Sequence, residues 1–209
     1  MDVARQGLVH GLREQGVRDE RVLAALHRVP RHRFVPPQLL PCAYEDRPLP
    51  IGQDQTISQP YIVALSTEAL ALTPTDRVLE VGTGSGYQTA VLAELVSAVY
   101  TVERLPELSA SAQERLRALG YSTIRFRVGD GTKGWPEESP FDAVLVTAAA
   151  PRVPERLLTQ LALHGRLVAP VGGRLSQELL LVRRDGGRLA QTRLCPCTFV
   201  PLIGEEGWT

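Results

Sequence analysis

The sequence predicts an α/β fold, a doubly wound and mainly parallel sheet with helices on both faces and an antiparallel contribution from its C-terminal strands. Three observations lead there. From residue 77 onward, short runs rich in β-branched residues alternate with segments of helical period. The first run, Arg77-Val78-Leu79-Glu80-Val81, leads into Gly82, Gly84 and Gly86 and then into the helix-like Ala90-Val91-Leu92-Ala93-Glu94-Leu95. At the far end, two strand-like runs near 177–183 and 188–200 follow one another with no helical segment between them. Parallel neighbours need a crossover helix and antiparallel ones do not, so the order of elements carries the topology.

The elements follow in chain order. Residues 2–29 read as two helices, one carrying Val3, Leu8 and Leu12 before Gly16, the other carrying Val22, Leu23 and Leu26 and stopping at Pro30. Residues 30–60 are rich in proline and turn formers and are expected to be the least regular. A helix is expected over 60–72, with Ile62, Leu65, Ala69 and Leu70 on or near one face. Strand 77–81 then precedes helix 86–95, strand 99–102 precedes helix 106–119, and strand 124–128 precedes a loop through Trp135-Pro136. Strand 141–147 leads to helix 154–163, and strand 166–171 to the terminal pair. With 209 residues the chain suits one domain, 1–209. Residues 1–60 supply N-terminal helices and a covering loop, 61–172 the ligand-binding core, and 173–209 the last strands.

Composition narrows the function. Lys plus Arg and Asp plus Glu both number 23, so no global field draws the chain to nucleic acid or an anionic membrane. The small cluster Arg28, Arg31 and Arg33 is as well suited to packing or pairing on the N-terminal helices. The first residues lack the apolar core of a signal peptide, and Val91 to Val102 is too short and too interrupted to span a bilayer. Three sparse cysteines, Cys42, Cys195 and Cys197, suggest a reducing, cytoplasmic setting. The pair Cys195-Pro196-Cys197 lacks further ligands at metal spacing, and no metal is expected.

A ligand at the glycine turn would meet bare backbone N–H groups at a helix N-terminus. A dinucleotide turn would place a third glycine at position 87, where Tyr87 stands. Glu80, just before the turn, would repel a pyrophosphate but suits a ligand carrying an ammonium and a sulfonium, such as S-adenosylmethionine. Glu103, about 20 residues beyond the glycines, ends the next strand, where a carboxylate would accept from both ribose hydroxyls. Asp130 and Gly131 end the third and could read an adenine edge. Glu80, Glu103 and Asp130 are thus expected on one rim of the sheet, in an S-adenosylmethionine-dependent methyltransferase fold.

A second constellation lies ahead of the core: Ile51-Gly52-Gln53-Asp54-Gln55-Thr56-Ile57-Ser58-Gln59-Pro60-Tyr61. Thr56 and Gln59 match a capping box, with Pro60 in the first helical turn. Capping leaves Gln53, Asp54, Gln55 and Ser58 unexplained. This loop resembles the one that marks the protein-L-isoaspartate O-methyltransferases. The resemblance also runs through Val29-Pro30-Arg31-His32-Arg33-Phe34-Val35-Pro36, Tyr44–Gly52, Leu79–Leu95, Tyr100–Arg104, Gly129-Asp130-Gly131, Val146–Pro151, Gly165–Gly172 and Phe199–Leu202, nearly the whole chain in the family's order.

The resemblance implies methyl transfer from S-adenosylmethionine to the α-carboxylate of isoaspartyl residues in damaged proteins and peptides; a monomer without nucleic-acid or membrane partners is expected. It places the active-site serine at Ser58. It places cofactor contacts at Gln55, Thr56, Ile57 and Ser58, at Gly82, Gly84 and Ser85, at Glu103, and at Asp130 with Gly131. Asp54 stands where bacterial relatives usually have glycine, and His164 replaces the first of a common glycine pair. Cys195 and Cys197 are unusual near the last strand. The chemistry agrees with the composition. A carboxylate nucleophile is already ionised at neutral pH, so four scattered histidines and no general base are enough. Thr147–Pro151 and Val200-Pro201-Leu202 are the segments expected to receive an extended peptide through its main chain.

Other readings keep only part of the pattern. A methyltransferase acting on a small molecule or nucleic acid, or a non-catalytic S-adenosylmethionine-binding module, would keep the glycine turn without the loop ahead of it. A dehydrogenase is disfavoured by Tyr87. A serine hydrolase is disfavoured because Thr83 and Tyr87 flank Ser85 where a nucleophile elbow needs glycines.

Overall fold

The structure, a computed structural model, describes all residues 1–209. Its centre is a seven-stranded sheet in the order β5-β4-β3-β6-β7-β8-β9. These strands are β3 (Arg77–Val81), β4 (Ala98–Glu103), β5 (Ile124–Val128), β6 (Phe141–Val146), β7 (Leu161–Gly172), β8 (Gln177–Asp185) and β9 (Arg188–Cys197). β5 through β7 run parallel, and β7, β8 and β9 pair antiparallel. The chain reverses direction at β3, and a crevice opens where successive strands lead to opposite sides.

Strand alternation divides the core between two faces. Val78, Val99, Ala143, Leu145 and Val168 join one cluster with the apolar sides of α1 (Asp2–Glu14), α2 (Glu20–Arg28), α3 (Pro60–Ala69) and α4 (Tyr87–Ala93). Leu79, Val81, Tyr100, Val102, Val144 and Val146 face the other way, against Leu157 of α6 (Glu155–Thr159), Val153 and Leu202. The remaining helix, α5 (Pro106–Ala118), follows β4. No helix is long and apolar enough to cross a membrane.

The expected architecture is present, with local differences. The helix expected over 154–163 lasts five residues, because Leu161 already pairs beside Phe141 as β7 begins. The last strand stops at Cys197. Val3 is largely exposed, so α1 packs through Leu8 and Leu12 instead. Residues 49–57 form an unanticipated hairpin of β1 (Leu49–Gly52) and β2 (Gln55–Ile57). Its turn residues Gln53 and Asp54 both have positive φ, 53° and 54°. The usual sequence sign for such a turn is Asn-Gly or Asp-Gly, and Gln-Asp hides it.

The capping box is also corrected. Thr56 lies within β2, and Gln59 at the start of α3 makes no cap through its own side chain. Asp46 does that work: its Oδ1 accepts from the N–H of Tyr61 at 2.8 Å and its Oδ2 from Gln59 Nε2 at 3.1 Å.

Candidate active site

Three glycines make the turn possible. Gly82, Gly84 and Gly86 have φ of 101°, 53° and 88°, a region costly for any residue with a Cβ. From the neighbouring strand end, Thr147 Oγ1 donates to the carbonyls of Val81 at 3.0 Å and Gly82 at 2.7 Å. Glu103, at the end of β4, ties the turn from the other side. Its Oε2 accepts from the N–H of Gly84 at 2.8 Å and its Oε1 from that of Leu105 at 3.0 Å.

Above this turn lies a cleft enclosing about 790 Å³. Gln55, Thr56, Ile57, Ser58, Gly82, Gly84, Ser85, Glu103 and Gly131 all line it, as the sequence led us to expect. Thr83, Tyr87, Gln88, Leu105, Thr147, Ala148 and Val200–Ile203 form further parts of the wall. Of these, the terminal segment had no sequence signal as a cofactor wall. Its place follows from a parallel bridge between Ala149 and Pro201 that carries the chain back across the strand ends.

Two expected residues do not line the cleft. Glu80 is fully buried beneath the turn, where its Oε2 accepts from Thr89 Oγ1 at 2.5 Å and Thr101 Oγ1 at 2.6 Å. Thr101 Oγ1 is in turn 2.6 Å from the hydroxyl of Thr83 in the turn. Burial pushes the Glu80 carboxyl up to about 8, against the two threonine hydrogen bonds that favour the anion. Glu80 therefore braces the turn through hydroxyls instead of meeting a cationic ligand directly. Asp130 also faces away. Its Oδ1 accepts from the N–H and hydroxyl of Thr132, at 2.9 and 2.7 Å, and its Oδ2 from the N–H of Glu205 at 2.9 Å. It fixes the terminal segment whose Leu202 and Ile203 form cleft wall, while Gly131 beside it reaches the cleft.

A second cavity of about 490 Å³ adjoins the first and shares Thr56, Ser58, Thr147 and Val200 with it. Pro48, Gln59, Ile62 and the stretch Pro196–Phe199 close it. The segments 147–151 and 200–202, expected to receive an extended peptide, lie side by side. The N–H of Ala149 donates to the carbonyl of Val200 at 2.8 Å, and that of Leu202 to Ala149 at 2.7 Å. Thr147 and Val200 also line the second cavity.

The sequence matches the family described as Protein-L-isoaspartate(D-aspartate) O-methyltransferase over residues 3–207. The chain belongs to this family. A relative from Roseiflexus sp. (strain RS-1), named protein-L-isoaspartate O-methyltransferase, is 55% identical over 211 residues, covering 100% of this chain and 97% of its own. One of the same name from Methanoculleus marisnigri is 55% identical, covering 94% and 90%. A solved protein-L-isoaspartate O-methyltransferase superposes with TM-score 0.87 at 31% identity, covering 97% of this chain and 66% of that one. A Plasmodium falciparum structure described as a protein-L-isoaspartate O-methyltransferase in complex with S-adenosyl-L-homocysteine gives 0.84 at 27% identity, covering 95% and 98%.

The chain is thus a methyltransferase that uses S-adenosylmethionine and modifies L-isoaspartyl residues. The larger cleft suits that donor: Glu103 sits among apolar Val102, Leu105 and Leu202. Bare glycine backbone borders the same space. No group of three or more His, Cys, Asp or Glu side chains is placed to hold a metal ion.

Proposed function

We propose that the two cavities divide the reaction between them, donor in the larger and isoaspartyl carboxylate in the smaller, with Ser58 orienting the carboxylate at their junction. The observation that carries this is that Ser58 and Thr147 belong to both walls. Ser58 is held by its backbone, its carbonyl accepting from Arg31 Nη2 at 2.9 Å. That leaves the hydroxyl to serve a substrate. S-adenosylmethionine supplies an electrophilic methyl group on a sulfonium.

The protein's work is then positional. Glu103 would receive the ribose hydroxyls of bound S-adenosylmethionine, and Gly131 with the residues around it would border the adenine. The loop 55–58 covers the junction and keeps water from the approach line. Alignment of this kind is worth up to about 7–11 kcal/mol in favourable intramolecular cases. A carboxylate needs no base. Cys197 also lines the smaller cavity, but burial, then Cys195 and Glu178, push its thiol up to about 12. It stays protonated and does not compete for the methyl group. The free cysteines support a cytoplasmic, reducing setting, and the working unit is a monomer.

The test is transfer of labelled methyl to one peptide prepared with isoaspartate or with ordinary aspartate at the same position. Base-labile label in the isoaspartyl form alone is expected. In Ser58→Ala, methyl transfer should fall while S-adenosylhomocysteine binding stays unchanged. Equal loss of both would make Ser58 a cofactor-loop residue and defeat the orienting role.

A further inference from the structure

Arg31 is the largest fully buried side chain, with no measurable exposure, and no carboxylate lies within ion-pair distance of it. A buried guanidinium without an acidic partner costs several kcal/mol unless carbonyls satisfy it. Three do. Nε donates to the carbonyl of Ala43 at 3.0 Å, and Nη2 to those of Ser58 at 2.9 Å and Arg47 at 3.4 Å. These carbonyls belong to separate stretches of chain: the end of the irregular N-terminal region, the approach to the β1–β2 hairpin, and the loop between β2 and α3. The guanidinium also lies over the Tyr87 ring, 4.8 Å from its centroid. Tyr87 begins α4 directly after the glycine turn and lines the donor cleft.

We propose that Arg31 is a positioning residue for methyl transfer, fixing Ser58 at the junction of the two cavities relative to the glycine turn. This rests on the orienting role of Ser58. The geometry favours it because one rigid planar group touches both sides of the reaction, the Ser58 backbone through a hydrogen bond and the α4 start through its face. Arginine alone supplies this combination. A lysine ammonium reaches as a point charge, cannot serve spread carbonyls in one plane, and does not stack in the same way. Burial, the largest influence, weakens the guanidinium's hold on its proton, yet arginine stays charged where a buried lysine readily loses its proton.

A double-variant cycle tests this. Arg31→Lys, Ser58→Ala and the double variant are compared for kcat and KM on an isoaspartyl peptide, for S-adenosylhomocysteine affinity by calorimetry, and for Tm. Arg31→Lys should lower kcat about tenfold or more, with KM and product affinity changed less than about threefold. Placed in Ser58→Ala, the same change should cost kcat less than about threefold, because residues acting through one another are not additive.

A normal kcat in Arg31→Lys, or full additivity with a slow Ser58→Ala, would overturn the proposal and leave the serine reading standing. Ser58→Ala at full rate would remove the serine reading itself. Should the lysine variant not fold, Arg31→Gln, which keeps one donor for the Ser58 carbonyl, carries the same cycle. Failure of both to fold would make Arg31 structural and overturn its positioning role.

Discussion

The side chain of Thr147 occupies the space a Cβ on Gly82 would need, with its Oγ1 placed to accept no such neighbour and to donate instead to the Gly82 carbonyl at 2.7 Å. The two residues lie 65 apart in the chain and meet because β3 and β6 are parallel neighbours. The glycine is thus required twice, by its φ of 101° and by a specific hydroxyl.

Gly82→Ala is therefore expected to destabilise the protein by about 2–4 kcal/mol, the sum of left-handed strain and overpacking. Adding Thr147→Ala should return the steric part and leave the strain. Urea unfolding of both variants reads the two terms. Equal stability of the single and double variants would show that Thr147 yields freely.

Glu80 should titrate far above an ordinary carboxylic acid, with a midpoint near 8 in the folded protein. Carboxyl carbon chemical shifts followed against pH measure this directly. A folded carboxyl raised above its unfolded value contributes stability that is present below the unfolded value and is lost as pH rises through the folded one. Global stability should accordingly decline between about pH 4.3 and 8 through this residue. A midpoint near 4 would mean that the hydroxyls of Thr89 and Thr101 outweigh burial.

Asp130 should show the opposite dependence. Burial raises its carboxyl, but the N–H of Glu205 and the hydroxyl and N–H of Thr132 together bring it below the usual range. Its stabilisation is complete above an unfolded value near ~3.9 and disappears as pH falls through the lower folded value. Asp130→Ala should free the segment around Gly204–Glu205, costing about 2 kcal/mol and weakening S-adenosylhomocysteine binding through Leu202 and Ile203. Unchanged affinity by calorimetry would show that those walls stand without the anchor.

At the hairpin tip, Asp54 holds a φ of 54° that glycine adopts more readily. Its side chain is exposed, so Asp54→Gly removes strain at the cost of a more flexible unfolded chain. A gain of about 0.5–1 kcal/mol is expected, seen as a rise in Tm of roughly 1–4 °C for a chain of this size. A fall in Tm would assign Asp54 a stabilising contact.

The alternation of strands and helices and the glycine turn were legible because each is a local matter, whereas the loop Gln55–Ser58 was singled out by the family resemblance. Periodicity records which side of an element is buried, and glycine records where the backbone turns left-handed. Together with the family resemblance, those features named nine of the 23 residues that line the cleft. The hairpin at 49–57 escaped because its turn residues are not the usual ones.

By itself the sequence determined the parallel core, its antiparallel end and the glycine turn. Tertiary structure decided which polar groups line the cleft. Glu80 and Asp130 occupy the expected strand ends, yet Thr89, Thr101, Thr132 and Glu205 claim their carboxylates. Asp46 caps α3 from 15 residues before Tyr61, and Arg31 reaches Ser58 across 27. Such partners are chosen by how distant segments pack, and a buried polar group takes whichever partner that packing brings within hydrogen-bond reach.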